Sequence, residues 1–260
     1  MKLKYENSTA LITGASGGIG EEFARTLADK GSHVILVARG EEALTALANE
    51  LHAKHGVRAE VIVADLSIPG AADKVVAEVD ERGLDVDILI NNAGFGTFGL
   101  LAEADPARIR DEVALNVGAL TDFTTVYLAR MVKKNSGTII NVASNASFQP
   151  VPNMAVYSAT KAYVRSLSEA LWWEARKSGV NVLALCPGPT KTEFFDIADS
   201  SVVGPLRSTR QVVATALHAL NVGKPTAVDG PQNRFAAVGA RFVPKRILLG
   251  IAARVVQPRK

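Results

Sequence analysis

Residues 9–24 read TALITGASGGIGEEFA. Thr9–Thr13 have the β-branched, apolar character of a buried strand, and the chain resumes after Gly20 as a helix. Between the two, glycines at 14, 17, 18 and 20 break the pattern. A strand that turns straight into a helix presents unpaired backbone N–H groups and the positive end of the helix dipole, and glycines let an anion approach without meeting a Cβ. Glycine spacing alone fits a tight turn with close helix packing equally well. Position separates the two readings: this loop follows the first strand and opens the first helix of a strand-helix-strand unit, the setting that a pyrophosphate-binding turn requires.

Outward from that turn, short apolar runs alternate with segments of helical period. Strands are expected at Thr9–Thr13, His33–Ala38, Arg58–Ala64, Ile88–Asn91, Thr138–Ala143, Val180–Cys186 and Thr226–Val228, most of them near-continuous apolar runs, as in strands covered on both faces. Helices are expected near 18–30, 41–55, 70–82, 105–134, 155–178 and 209–221, with Asp105 before Pro106 as a start signal. The alternation predicts an α/β fold, a doubly wound parallel sheet of about seven strands in one Rossmann-type domain over 1–230, with a helical extension over 231–260. Right-handed crossovers then bring the carboxyl ends of the strands to one ligand-binding edge.

Composition narrows the setting. The 260 residues are 48% apolar, enough for one substantial core. The one cysteine, Cys186, precludes an internal disulfide, and neither a leader nor a membrane-spanning run is visible, so a cytoplasmic protein is expected. A net charge of +3 gives little support to a nucleic-acid partner. From Lys224 onward, however, eight basic residues face one acidic residue. His52 and His55 lie three apart on an expected helix without a third ligand, so no metal is expected.

Further motifs follow in order: NNAG at Asn91–Gly94, Asn116 in the next helix, Ser144 at the end of the fifth strand, YSATK from Tyr157 to Lys161, and CPGPTKTEF after the sixth strand. With Gly14-x-x-x-Gly18-x-Gly20 this ordered set resembles the short-chain dehydrogenase/reductase family, in its compact single-domain type, from about Leu3 to about Asp229. NNAGFGTFG, VYSATKAYV and LCPGPTKTEFF look most like a bacterial branch of mostly uncharacterised oxidoreductases.

Elementary chemistry supports the resemblance at Tyr157 and Lys161. Four residues apart on a helix, their side chains share a face. A phenol with a reference pKa of about 10 is roughly 0.1% ionised at pH 7, and a lysine ammonium ~4 Å away at an effective dielectric near 20 supplies about the 4 kcal/mol needed to bring it to ~7. The resemblance implies that Tyr157 is the general acid/base, that Ser144 polarises the substrate oxygen, that Lys161 tunes Tyr157 and grips the nicotinamide ribose, and that Asn116 holds a relay water.

The resemblance also implies cofactor contacts from Gly14, Ser16, Gly18, Ile19 and Gly20, from Asp65 and Leu66, from Asn92, Ala93 and Gly94, and from Pro187, Gly188, Thr190 and Thr192. Asp65 toward the adenine amino group stands beside Asp65 as a simple turn residue. Ala38-Arg39 closes the second strand where a carboxylate would mark NAD(H), so NADP(H) is expected in preference. Phe95, Phe98, Phe148, Met154, Phe194 and Phe195 suggest an apolar pocket for a hydrophobic ketone or alcohol. Alternatives are a 3-oxoacyl-thioester reductase and, in a different class, a non-catalytic NADP-binding sensor or scaffold. The long helices at 105–134 and 155–178 resemble those that pair family members into homodimers or homotetramers.

The tail RFVPKRILLGIAARVVQPRK places Ile247, Leu248, Ile251 and Val255 on one helical face, with Lys245, Arg246 and Arg254 among the polar positions. Three readings stand open: a helix capping the sheet or cleft, attachment to an anionic membrane surface, and docking of an acyl carrier or acyl-CoA phosphates.

Overall fold

In a computed structural model, which describes residues 4–202, 206–240 and 242–258, seven strands form one parallel sheet. They are β1 (Thr9–Thr13), β2 (His33–Ala38), β3 (Ala59–Val63), β4 (Ile88–Asn91), β5 (Gly137–Val142), β6 (Val180–Cys186) and β8 (Thr226–Val228), in the order β3-β2-β1-β4-β5-β6-β8. Every residue of β1, β4 and β5 is buried, which is why these strands read as largely apolar runs.

The helices are α1 (Gly18–Asp29), α2 (Glu41–His55), α3 (Ala71–Glu81), α4 (Pro106–Val113), α5 (Leu120–Lys134), α6 (Ala155–Ala175), α7 (Phe194–Ile197), α8 (Thr209–Asn221), α9 (Pro231–Gly239) and α10 (Lys245–Val255). Phe23, Leu27, Leu44 and Val212 pack one face of the sheet, and Val75, Val79, Phe123 and Tyr127 the other. Local signals set the helix ends. Asp105 caps Ala107 N ahead of Pro106, and Ser208 and Gln211 form a reciprocal capping box at the start of α8.

Beneath the carboxyl edge runs a buried polar ladder. Asn91 Nδ2 donates to Asn141 Oδ1 (2.9 Å), and Asn141 Nδ2 donates to Ser168 Oγ (3.0 Å), tying β4 and β5 to α6. Both Nδ2 groups find their acceptors in this one arrangement of neighbours, which favours the register of the strands that carry the site, while Asn91 Oδ1 has no partner.

Three features depart from the sequence reading. The helix expected over 105–134 is interrupted by a π-turn at Ala114–Ala119, centred on Asn116. Two further strands, β7 (Ser200–Val202) and β9 (Val256–Pro258), pair antiparallel and tie the end of the chain to the segment after α7. The apolar face expected on α10 does not turn inward: Ile247 and Ile251 are 57% and 54% exposed, Leu248 is half-buried, and Ala252 is the buried residue. The small side chain allows the close approach. The Val255 side chain, the fourth member of that face, lies outside the described residues.

Candidate active site

At the carboxyl edge a cleft of about 1180 Å³ runs from Arg39 and Asp65, past the glycine turn and Ser144, to Phe194 and Ala252. At its first end α1 starts at Gly18 with no side chain capping it, so its leading N–H groups are left to an outside acceptor. A Cβ on Gly20 would stand 2.2 Å from Gly14 O, and one on Gly14, at φ +65°, would stand 2.8 Å from Asn92 Nδ2. Only glycine allows a turn this tight. Asn92 Nδ2 donates to the carbonyls of Thr13 (3.0 Å) and Gly14 (3.1 Å), while Thr13 Oγ1 accepts from the amides of Asn92 and Ala93. Expected as a cofactor contact, Asn92 lines the cleft but commits its amide to bracing the turn.

Ser16, Gly18 and Ile19 line the same end, with Arg39 exposed above them. Asp65 Oδ1 accepts from Ser67 N (3.0 Å) and Ser67 Oγ (2.7 Å), and the Ser67 hydroxyl, with Arg39 adding to it, holds the carboxyl below its usual range. That oxygen serves a turn, one of the two roles open to Asp65, and Leu66 behind it is buried. An uncapped helix start, a turn that excludes Cβ atoms and an exposed guanidinium fit a phosphorylated dinucleotide.

In the middle of the cleft, β5 delivers Ser144, and α6 delivers Tyr157 and Lys161, with Ala93 and Gly94 facing them. Ser144 Oγ accepts from Ala146 N (3.1 Å) and lies against the Tyr157 phenol. Tyr157 is buried, and burial pushes its pKa up to about 12, with the Ser144 hydroxyl drawing it partly back. This corrects the sequence argument for a phenol near neutrality. Lys161 Nζ stands 5.8 Å from the Tyr157 ring centroid and donates to Val142 O (2.8 Å), and burial lowers the lysine's own pKa to about 8. Desolvation outweighs the charge effect because both groups lie beneath the surface.

Asn116 is fully buried. Its Oδ1 accepts from Phe95 N (3.1 Å), and its Nδ2 donates to Phe95 O (2.8 Å) and Thr160 Oγ1 (3.2 Å). With the amide so committed, the side chain is a clamp on the Phe95 loop rather than a water ligand. The π-turn around it is what aims the side chain at that loop.

At the far end, Phe95, Met154, Phe194 and Phe195 line the cleft, and the Phe194 ring lies 5.1 Å from that of Tyr157. Phe148, expected as a pocket residue, instead packs with Leu120, Val164 and Cys186 under the Arg165 guanidinium, 4.2 Å from its ring. Phe98 is set among Val151, Met154 and Ala198 behind the wall. Pro187, Gly188 and Thr192 border the cleft, but Thr190 is 5% exposed and its hydroxyl donates to Gly188 O (2.8 Å), which leaves its backbone for any ligand contact.

Sequence reasoning missed what braces this end. Arg207 Nε and Nη2 clasp the fully buried Asp229 (2.8 and 2.9 Å), and Thr215 Oγ1 donates to Asp229 Oδ1 (2.7 Å). The Arg207 main chain in turn bonds Pro189 O and Lys191 N on either side of Thr190. Ala252, from the extension, also lines the cleft. A partner 22 residues away leaves no local signature. Among the described residues no group of three or more His, Cys, Asp or Glu could hold a metal, and no helix is long and apolar enough to cross a membrane.

The short chain dehydrogenase family model matches residues 8–201. The uncharacterised oxidoreductase YmfI of Bacillus subtilis is 33% identical, over 81% of this chain and 90% of its own. The very-long-chain 3-oxoacyl-CoA reductase of Coprinopsis cinerea is 34% identical, over 83% of this chain and 66% of its own. A short-chain dehydrogenase from Sphingobium yanoikuyae, solved in complex with NADPH, superposes with a TM-score of 0.82 at 34% identity, covering 90% of this chain and 93% of its own.

Proposed function

Because the chain belongs to the short-chain dehydrogenase family, we propose that it transfers a hydride between NADP(H), in preference to NAD(H), and a hydrophobic ketone or alcohol. One observation carries this reading: Ser144, Tyr157 and Lys161 meet where the uncapped start of α1 and the apolar end share a single cleft. When bound, the nicotinamide supplies the hydride to, or takes it from, the substrate carbon. Tyr157 Oη gives its proton to the substrate oxygen during reduction and takes one back during oxidation, while the Ser144 hydroxyl donates to the same oxygen and polarises it.

Lys161 holds the ribose hydroxyls, and Arg39 meets the 2′-phosphate where a carboxylate would repel it. The NADPH complex of the Sphingobium relative supports that choice. Asn116 keeps the Phe95 loop against the reacting atoms. A phenol pushed up to about 12 holds its proton at neutral pH, the form that donates during reduction. Alcohol oxidation therefore gains as pH rises toward 10, and initial rates in both directions across pH 6–10 check that sign. Phe95, Met154, Phe194 and Phe195 favour an apolar substrate.

A second reading, reduction of a 3-oxoacyl thioester, draws on the similarity to the Coprinopsis reductase. Assembly into a homodimer or homotetramer through α5 and α6 belongs to the same proposal, since Val132, Tyr163 and Trp173 are exposed there. Light scattering on the purified chain tests it. The deciding experiment follows loss of NADPH or NADH absorbance against hydrophobic ketones and 3-oxoacyl thioesters. Turnover that falls by about 10²–10⁴ in Tyr157→Phe, with NADPH binding kept, supports the mechanism. Arg39→Ala is expected to lower the NADPH-over-NADH preference about tenfold, the size of one charge-assisted contact. NADPH binding without turnover on any substrate would favour a sensor.

A further inference from the structure

Glu112, in the last turn of α4, is 0% exposed, and neither carboxyl oxygen has a hydrogen-bond partner. Thr97 lies close enough, through its hydroxyl and its main-chain N–H, to pull the carboxyl's pKa down, yet neither closes a hydrogen bond to it, and the hydroxyl is itself unpartnered. A carboxyl buried in this way destabilises a fold unless a charge nearby offsets it. Glu112 stands one helical turn before Asn116, and α4 packs on α6, which carries Lys161.

Lys161 has the complementary problem. It is 4% exposed, and its ammonium has one neutral acceptor, Val142 O. Two acids act on it, Glu112 and Cys186. Burial pushes the Cys186 thiol up to about 12, so it is neutral at physiological pH, as is the neighbouring Tyr157. Glu112 is what remains. The groups acting on Glu112 are Thr97 from the loop, Arg108 from its own helix and Lys161 from α6. Arg108 donates to the carbonyls of Gly96 and Ile197 at the cleft rim, so its charge is shared with solvent and main chain.

We propose that Glu112 is a positioning residue that supplies the buried counter-charge keeping the Lys161 ammonium protonated at neutral pH. The proposal rests on the reading of Lys161 as the group that holds the cofactor ribose. Burial raises the pKa of Glu112, so the counter-charge fades in acid, but there Lys161 is protonated without help. The effect therefore belongs to the alkaline side, where Lys161, lowered to about 8, is near its own titration.

The test measures NADPH affinity by nucleotide fluorescence from pH 6 to 10 in wild-type, Glu112→Gln and Glu112→Asp protein, with Tm recorded for each. In Glu112→Gln the pH at which affinity falls moves down by about one unit, as expected for one nearby charge, while Tm stays level or rises. Glu112→Asp restores most of the wild-type profile. Superposable profiles in all three, or a lowered Tm in Glu112→Gln with an unmoved profile, would overturn the proposal in favour of a packing role. If the wild-type chain fails to bind NADPH, the cofactor reading falls, and this proposal with it. If NADPH binds but the profiles coincide, only the proposal falls.

Discussion

The two ends of the cleft are walled differently. Around Gly14, Gly18 and Gly20 the wall is main chain, with the start of α1 left uncapped by any side chain and its shape fixed by the absence of Cβ atoms. Around Phe194 and Met154 the wall is side chain, carried on α7, on loops and on a C-terminal helix that strand pairing between β7 and β9 holds in place. A main-chain wall suits a ligand with one invariant feature, a diphosphate, because backbone donors are the same whatever residues carry them. A side-chain wall is reshaped by single substitutions, so it suits a choice among substrates.

The sharpest way to break this contrast is Gly20→Ala. Its Cβ would stand 2.2 Å from Gly14 O and 2.6 Å from Asn92 Nδ2, so the turn must open. Affinity for NADPH is expected to fall by more than tenfold, with an overpacking cost of about 1–3 kcal/mol in stability. Titration of nucleotide fluorescence together with a thermal melt reads both. Wild-type affinity in this variant would mean that the turn does not bind the cofactor.

The aromatic end depends on a brace distant in sequence. Arg207→Met leaves the Asp229 carboxylate buried beside Thr215, and stability at pH 7 is expected to drop by about 3 kcal/mol. Burial pushes the Asp229 pKa up, but Arg207 and Thr215 more than offset that and hold it below the ordinary carboxylate range. The stabilisation is thus present above the unfolded-state pKa of about 3.9 and is lost as pH falls through the lower folded value. Urea melts from pH 7 to 2.5 should show a wild-type loss below about pH 4 that is absent in Arg207→Met.

The smallest expected effect separates two phenylalanines that look alike in sequence. Phe148→Ala removes a ring packed on Leu120 and Val164 and should cost about 1–3 kcal/mol with KM unchanged. Phe194→Ala opens the wall beside Tyr157 and should raise KM for bulky ketones several-fold, with little change in melting. If Phe148→Ala raised KM as much, the boundary drawn here between pocket and core would be wrong.

The order of motifs in the chain was enough to identify the α/β class, the parallel sheet and the family, because each rests on a local pattern: a buried strand, a glycine turn, a tyrosine and lysine one helical turn apart. Strand bounds matched closely for the same reason, since a doubly covered strand is apolar on both faces. Roles that depend on three-dimensional neighbours were not legible. Asn116 reads, through the family resemblance, as the holder of a relay water until a π-turn aims it at Phe95, and Asn92 reads as a ligand contact until its amide meets Gly14.

By itself, the sequence determined where backbone can meet a phosphate and which residue types stand ready for proton transfer, because composition and spacing carry that information locally. The tertiary structure decided how those groups are charged and which aromatics face the cleft. Burial lifts Tyr157 to about 12 and lowers Lys161 to about 8, the reverse of what the isolated pair suggests, and it turns Phe148 into core. Desolvation depends on everything packed around a group, and most of what packs around these groups comes from distant parts of the chain.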